Sequence, residues 1–267
     1  MPRLSINEMT TFRWSFDEDL RQYGAAGISA VGIWRRKFSD YGQQRGIELL
    51  AQSGLSVSNV LWAGGFTGSE GHTHRESIDD GLEAVRLTAA LGSKCLIVYS
   101  GARAGHTHNH ARRLLMTALK ELAAAAADHG ICLALEPMHP ACAGDCTFIT
   151  SLSGALEVIE QIDSPQMRLS IDTYYLQDGD EVLDQLRELS KRIAIVHLAD
   201  GLPPDEEQHR TPLGAGKVRL KDLVAALGEG GYEGDYDVVL FGDEILPDQY
   251  VSLLHDTKAA YERLIGA

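Results

Sequence analysis

With 267 residues and 44% hydrophobic side chains, the chain has ample material for a core, and its length suits an α/β barrel of about 250 residues better than a string of small domains. Its 24 basic against 38 acidic residues give a formal charge of −14 without a lysine or arginine block, which disfavours an extended nucleic-acid surface. No apolar run approaches the roughly 18 residues of a membrane span, and the N-terminal MPRLSINEMT lacks the apolar core of a secretory leader. Of the four cysteines, Cys95 and Cys132 fall in apolar strand patterns, and the Cys142/Cys146 pair lacks the second pair of a structural zinc site. A disulfide framework is not expected, and a reducing cytoplasm is the expected setting.

In chain order, LSIN (4–7) reads as a strand, followed by a helix from Ser15 to about Ala26, the strand ISAVGIW (28–34) and a helix from Ser39 to Ser53. VSNVLWA (57–63), a glycine-rich loop and a helix from about Arg75 to Leu91 come next, then CLIVYS (95–100) and a helix from Asn109 to His129. ICLALE (131–136), helix 151–162, strand MRLSID (167–172), helix 179–191, strand IAIVHL (193–198), helix 219–229, strand YDVVLF (236–241) and a helix near 248–265 complete the series. Such strict alternation means a parallel sheet with right-handed crossovers. Eight units in this length favour closure into a single (β/α)8 TIM barrel over an open doubly wound sheet, whose glycine-rich phosphate turn is missing after the first strand. One domain spanning 1–267 is expected, with the glycine-rich patches GGFTGSEG and GAGK in loops of the C-terminal face.

Three of the apolar runs end with a metal-competent side chain: Glu136 in LALEPMHP, Asp172 in LSIDTYYL and His197 in IAIVHLAD. An unsatisfied charge at the end of a buried strand is costly, so three such groups on successive strands point to one shared site. Two carboxylates and an imidazole suit a divalent Mn, Mg, Co or Zn ion with positions left open for substrate. A hydrogen-bonded polar plug at the barrel mouth is the plainer alternative.

These segments, together with TTFRWSFDEDL, GISAVGIWRRK, GLEAVRLTAALGSKCLIVYSG, HRTPLGAGKVRL and GYEGDYDVVLF, resemble the sugar phosphate isomerases/epimerases of the xylose isomerase-like TIM-barrel superfamily along nearly the whole chain. The resemblance implies a metal held by a Glu, an Asp, a His and a second Glu, with the two glutamates as acid/base pair and homo-oligomers common. Glu136, Asp172 and His197 match the first three positions. The fourth is Val239, which can neither ligate nor carry a proton, and Tyr175 stands where the family often has a histidine. Three readings follow: a three-ligand centre running one-base isomerisation or elimination, a centre completed by Asp243 or Glu244, or a catalytically impaired carbohydrate-binding barrel. Asp243 lies about 13 Å beyond Val239 along an extended strand, so a bend would have to bring it back.

The resemblance implies a small sugar or sugar derivative as substrate, and Glu136 is the best remaining base for removing a proton beside a carbonyl. His139, Tyr175, Arg210, Trp34 and Trp62 are candidates for substrate binding. Arginine offers a planar fork for hydroxyls, carboxylate or phosphate, and the indoles offer faces for a sugar ring. Each has a plain structural alternative, as do the loop histidines His72, His74, His106, His108 and His110, which make a weak case for a second metal site. A DNA-cleaving relative of the same fold would need a richer His/Asp/Glu set and a basic groove, which the acidic charge opposes.

Overall fold

The computed structural model describes residues 2–68, 71–176, 179–202, 209–242 and 245–266. Eight strands close into a barrel: β1 (Leu4–Asn7), β2 (Ala30–Trp34), β3 (Ser56–Ala63), β4 (Cys95–Val98), β5 (Cys132–Leu135), β6 (Met167–Asp172), β7 (Ile193–Leu198) and β8 (Tyr236–Val238). Their hydrogen-bonded order is β1–β8–β7–β6–β5–β4–β3–β2, with parallel pairing. The architecture is the (β/α)8 barrel expected from the alternation, and the strands lie within a few residues of their expected ranges. Among the described residues no helix is long and apolar enough to cross a membrane.

The chain divides into two compact units, residues 1–58 with 172–267 and residues 59–171. In the first lie helices α1 (Phe16–Ala25), α2 (Arg35–Tyr41) and α3 (Gln43–Ser53), and later α7 (Asp180–Leu189), α8 (Leu220–Glu229) and α9 (Tyr250–Ile265). The single helix expected over 39–53 is in fact two, with α2 starting directly after β2. Gly42, at φ +101°, breaks them apart in a conformation that side chains with a Cβ avoid. The break lets α3 fold back against α2, where Gly46 leaves room for the Phe38 ring that any Cβ would strike.

The second unit holds α4 (His74–Ala90), α5 (His108–His129) and α6 (Leu152–Ile162). Thr73 and Glu76 form a reciprocal capping box at the start of α4, and the Thr107 and Ser151 side chains accept from backbone N–H groups at the starts of α5 and α6. On α5 the buried set Ala111, Leu115, Ala118, Leu119, Leu122 and Ala126 recurs at three and four residues, the spacing of a core-facing stripe. Each buried leucine there contributes roughly 1.5–3 kcal/mol. Gly81 of α4 lies so close to Leu122 that the two helices pack almost backbone to side chain.

Two short features beyond the barrel shape its C-terminal face. One turn of 3-10 helix, Thr173–Tyr175, follows β6, and a ribbon pairs Asp200–Gly201 with Arg210–Thr211 in antiparallel fashion. The ribbon turns the chain back after β7 and thereby fixes where Arg210 falls.

Candidate metal centre

Glu136 is the first residue beyond β5, Asp172 the last of β6 and His197 the penultimate of β7. Their exposures are 3%, 4% and 2%, so each polar head has left bulk water. One ligand atom from each can be chosen such that all three lie within 4.8 Å of one another, the one group of this kind among the described residues. Ligands bonded at about 2.0–2.2 Å to a tetrahedral ion stand about 3.3–3.6 Å apart, so binding would draw the widest pair of the trio together by roughly 1 Å. Two carboxylates and one imidazole also match a hard or borderline divalent ion in chemistry. Ser170, two residues before Asp172 on the same face of β6, donates from Oγ to Glu136 Oε2 at 2.8 Å and steadies that carboxylate.

Asp172 is held from two sides. The backbone N–H of Tyr174 donates to Oδ1 at 2.9 Å, and Arg210 Nη1 approaches Oδ2 at 2.8 Å. The Arg210 guanidinium is as buried as its partner, stacks over Phe241, Tyr174 and Tyr175 at 4.5, 4.9 and 5.0 Å, and donates to the Val239 carbonyl at 3.1 Å. Burial works against its charge, but the Asp172 carboxylate and Tyr175 outweigh that and hold its pKa above the ordinary value. Of the residues singled out in the sequence, Asp172, Tyr175, Arg210 and Val239 therefore share one corner, with arginine and tyrosine where the sugar-binding loop was expected.

A model of the xylose isomerase-like TIM barrel family matches residues 18–255. The chain belongs to that family. It is 28% identical over 141 residues to an inosose isomerase of Halalkalibacterium halodurans, an alignment covering 50% of this chain and 48% of that one. It is 25% identical over 171 residues to a ketose 3-epimerase of Arthrobacter globiformis, covering 62% and 56%. The chain thus spans about half the length of the curated relatives it matches. Among solved structures it is similar to the IolI protein with a bound zinc atom, with a TM-score of 0.84 and 21% identity over 99% of this chain and 98% of that one.

Within this xylose isomerase-like barrel the other expected site residues have local partners. His139 caps a turn, its Nδ1 accepting from the Ala141 N–H at 3.2 Å. Trp34 ends β2 with its ring 5.3 Å from Phe12, and Trp62 on β3 meets Tyr99 edge-on at 6.5 Å; both indoles are half-buried. Of the loop histidines, His74 bonds to the Leu114 carbonyl and His106 to that of Thr67, His106 stacks on His110, and His108 meets Phe148. Asp243 and Glu244, the candidate replacements for the fourth ligand, lie outside the described residues.

Several polar groups that organise this face were not singled out in the sequence. Asp200 is 1% exposed and accepts from the N–H groups of Gly201, Gly214, Gly216 and Val218, so the GAGK segment is a loop tied to one carboxylate. The signal was present: an acid two residues past a strand, and a later loop whose glycines allow backbone to reach it, since a Cβ at Gly216 would strike Asp200. Glu8, just past β1, accepts from the Trp34 N–H at 2.7 Å beside an Asp19–Lys37 ion pair of 2.6 Å, all of them buried. Burial, and then the charge of Asp19, push Glu8 well above the usual carboxylate range, and burial pushes Asp19 up to about 7.

Proposed function

We propose that this chain is a divalent-metal-dependent isomerase of a small sugar or sugar derivative, with Glu136 as the proton-transferring base. The observation that carries the reading is the buried convergence of Glu136, Asp172 and His197 at the ends of β5, β6 and β7. The activities for which the inosose isomerase and ketose 3-epimerase relatives are named, and the zinc of IolI, support it.

Moving a carbonyl along a polyol, or inverting its neighbour, begins with loss of a proton from the carbon beside C=O. A bound divalent ion would supply the charge that polarises the carbonyl and stabilises the enediolate. Glu136, with Oε2 steadied by Ser170, takes that proton and returns it to the adjacent carbon, while the proton of the neighbouring hydroxyl passes to the former carbonyl oxygen. Arg210, pinned by Asp172 and three aromatic faces, presents an oriented guanidinium edge to substrate oxygens, and Tyr175 adds a phenol beside it. Val239 is buried and apolar where a second base would face the opposite side of the substrate. Proton transfer on one face follows, which is the requirement of aldose–ketose isomerisation, whereas inversion needs donors on both faces.

Elemental analysis of protein purified without chelator, followed by turnover of keto sugars and inososes in D2O, tests this. About one Mn, Co, Zn or Mg ion per chain, lost in both Glu136→Gln and His197→Ala, is the expected result. Deuterium should enter at one carbon with a single stereochemistry. Inversion of a stereocentre with solvent label would refute one-face chemistry, and absence of metal after incubation with Mn would leave a carbohydrate-binding barrel without this reaction.

A further inference from the structure

We infer that Asp237 is the positioning residue of the metal centre: its carboxylate holds the His197 imidazole through Nε2, leaves Nδ1 for the ion, and supplies the third negative charge of the site. The inference rests on the metal reading above. Asp237 and His197 are direct partners in the register of the parallel pair β8–β7. Asp237 Oδ2 and His197 Nε2 are 3.9 Å apart, and the side chains are 0% and 2% exposed. A ring rotation that closes about 1 Å converts this contact into a hydrogen bond of ordinary length.

The carboxylate is built into its place. Asn7 Nδ2 donates to Asp237 Oδ2 at 2.8 Å, and the Asn7 Oδ1 in turn accepts from the Met9 N–H at 3.1 Å, which fixes the amide and so the acid. On β2 the residue facing this pair is Gly32, where any Cβ would collide with both Asp237 Oδ2 and Asn7 Nδ2. Three strands thus cooperate to seat one buried acid against one imidazole. Asp237 also shares its strand face with Val239, two residues nearer the mouth, so it lies one step below the position where the carboxylate is missing. Glu136 and Asp172 bring two negative charges to a divalent ion, and Asp237 adds a third through the ring, as a carboxylate behind a metal-bound histidine does.

Zinc and manganese affinities measured by chelator competition, with 15N imidazole shifts of His197 in the metal-free protein, test this. Wild-type His197 is expected to carry its proton on Nε2. Asp237→Asn, which keeps size and the Asn7 contact, should weaken both metals about 10–100-fold and move the Nε2 resonance with unchanged circular dichroism. Adding Val239→Glu to Asp237→Asn should recover most of the affinity. A wild-type proton on Nδ1, or unchanged affinity in Asp237→Asn, overturns the inference and leaves the metal reading standing. A wild-type protein that takes up neither metal overturns both.

Discussion

Replacing Asp200 by asparagine isolates the contribution of one carboxylate to the loop that carries Arg210 back to the site. Its two oxygens each accept two backbone N–H groups: Oδ1 from Gly201 at 2.8 Å and Val218 at 3.1 Å, Oδ2 from Gly214 at 2.8 Å and Gly216 at 3.1 Å. Asparagine keeps one acceptor oxygen and turns an NH2 against the other pair, so two charge-assisted hydrogen bonds are lost. Each contributes roughly 1.5–3 kcal/mol when intact. Gly214 is exposed and Gly216 half-buried, so freed N–H groups on that side can reach water, which favours the lower end. The expected loss is about 3–4 kcal/mol, or about 6–16 °C in Tm for a chain of this size. Urea unfolding gives the energy, and hydrogen exchange over residues 212–219 should lose protection while α4 and α5 keep theirs. A cost under about 0.5 kcal/mol with exchange unchanged would refute the claim that this acid organises the loop.

Two further outcomes follow from the buried charges. Glu8 and Asp19 both titrate above their ordinary values, burial being the first cause in each case. The folded chain therefore keeps protons that the unfolded chain releases above about pH 4–5, and this contribution is full below that range and lost as pH rises through the raised values. Glu8→Gln should flatten the fall in stability between pH 5 and 8 seen by urea unfolding, and an identical slope in wild type and variant would count against a protonated Glu8. Arg210→Gln removes a positive charge 2.8 Å from a proposed metal ligand. An ion on that ligand would stand one bond further off, about 5 Å from the guanidinium, where repulsion of a divalent charge is still several kcal/mol at an effective dielectric of about 20, so chelator competition should show metal binding at least tenfold tighter. Weaker binding would mean that the arginine instead holds Asp172 in its ligating position.

How much of the fold was legible follows from where burial is simple. The strands around Leu96, Leu133, Leu169 and Ile195 are apolar runs bounded by turn residues, and the stripe on α5 repeats at helical spacing, so both kinds of element are visible without any knowledge of their neighbours. The break at Gly42 was missed because a glycine within a helical pattern is usually tolerated, and only the packing of Phe38 against Gly46 makes a turn there favourable. The ribbon of Asp200–Gly201 with Arg210–Thr211 has two residues on each side, too short for an alternating pattern to register.

At the site the same distinction separates what could be read from what could not. Glu136, Asp172 and His197 are conspicuous because each is a polar residue at the end of an otherwise apolar strand, where desolvation demands a partner. Asp237 obeys the same rule, yet it sits among Asp235, Tyr236 and the valines of a short strand and reads there as one more acid in an acidic chain. Its meaning depends on two non-local facts: its register against His197 and the space left by Gly32 for the Asn7 amide. Arg210 shows the converse. Its part in the site could be guessed from its place after β7, but its direct pairing with Asp172 required the ribbon that returns the chain to β6. Polar side chains that end apolar strands mark the proposed ligands. What orients those ligands is written in pairs of residues far apart in the chain, and only the closed sheet brings such pairs into register.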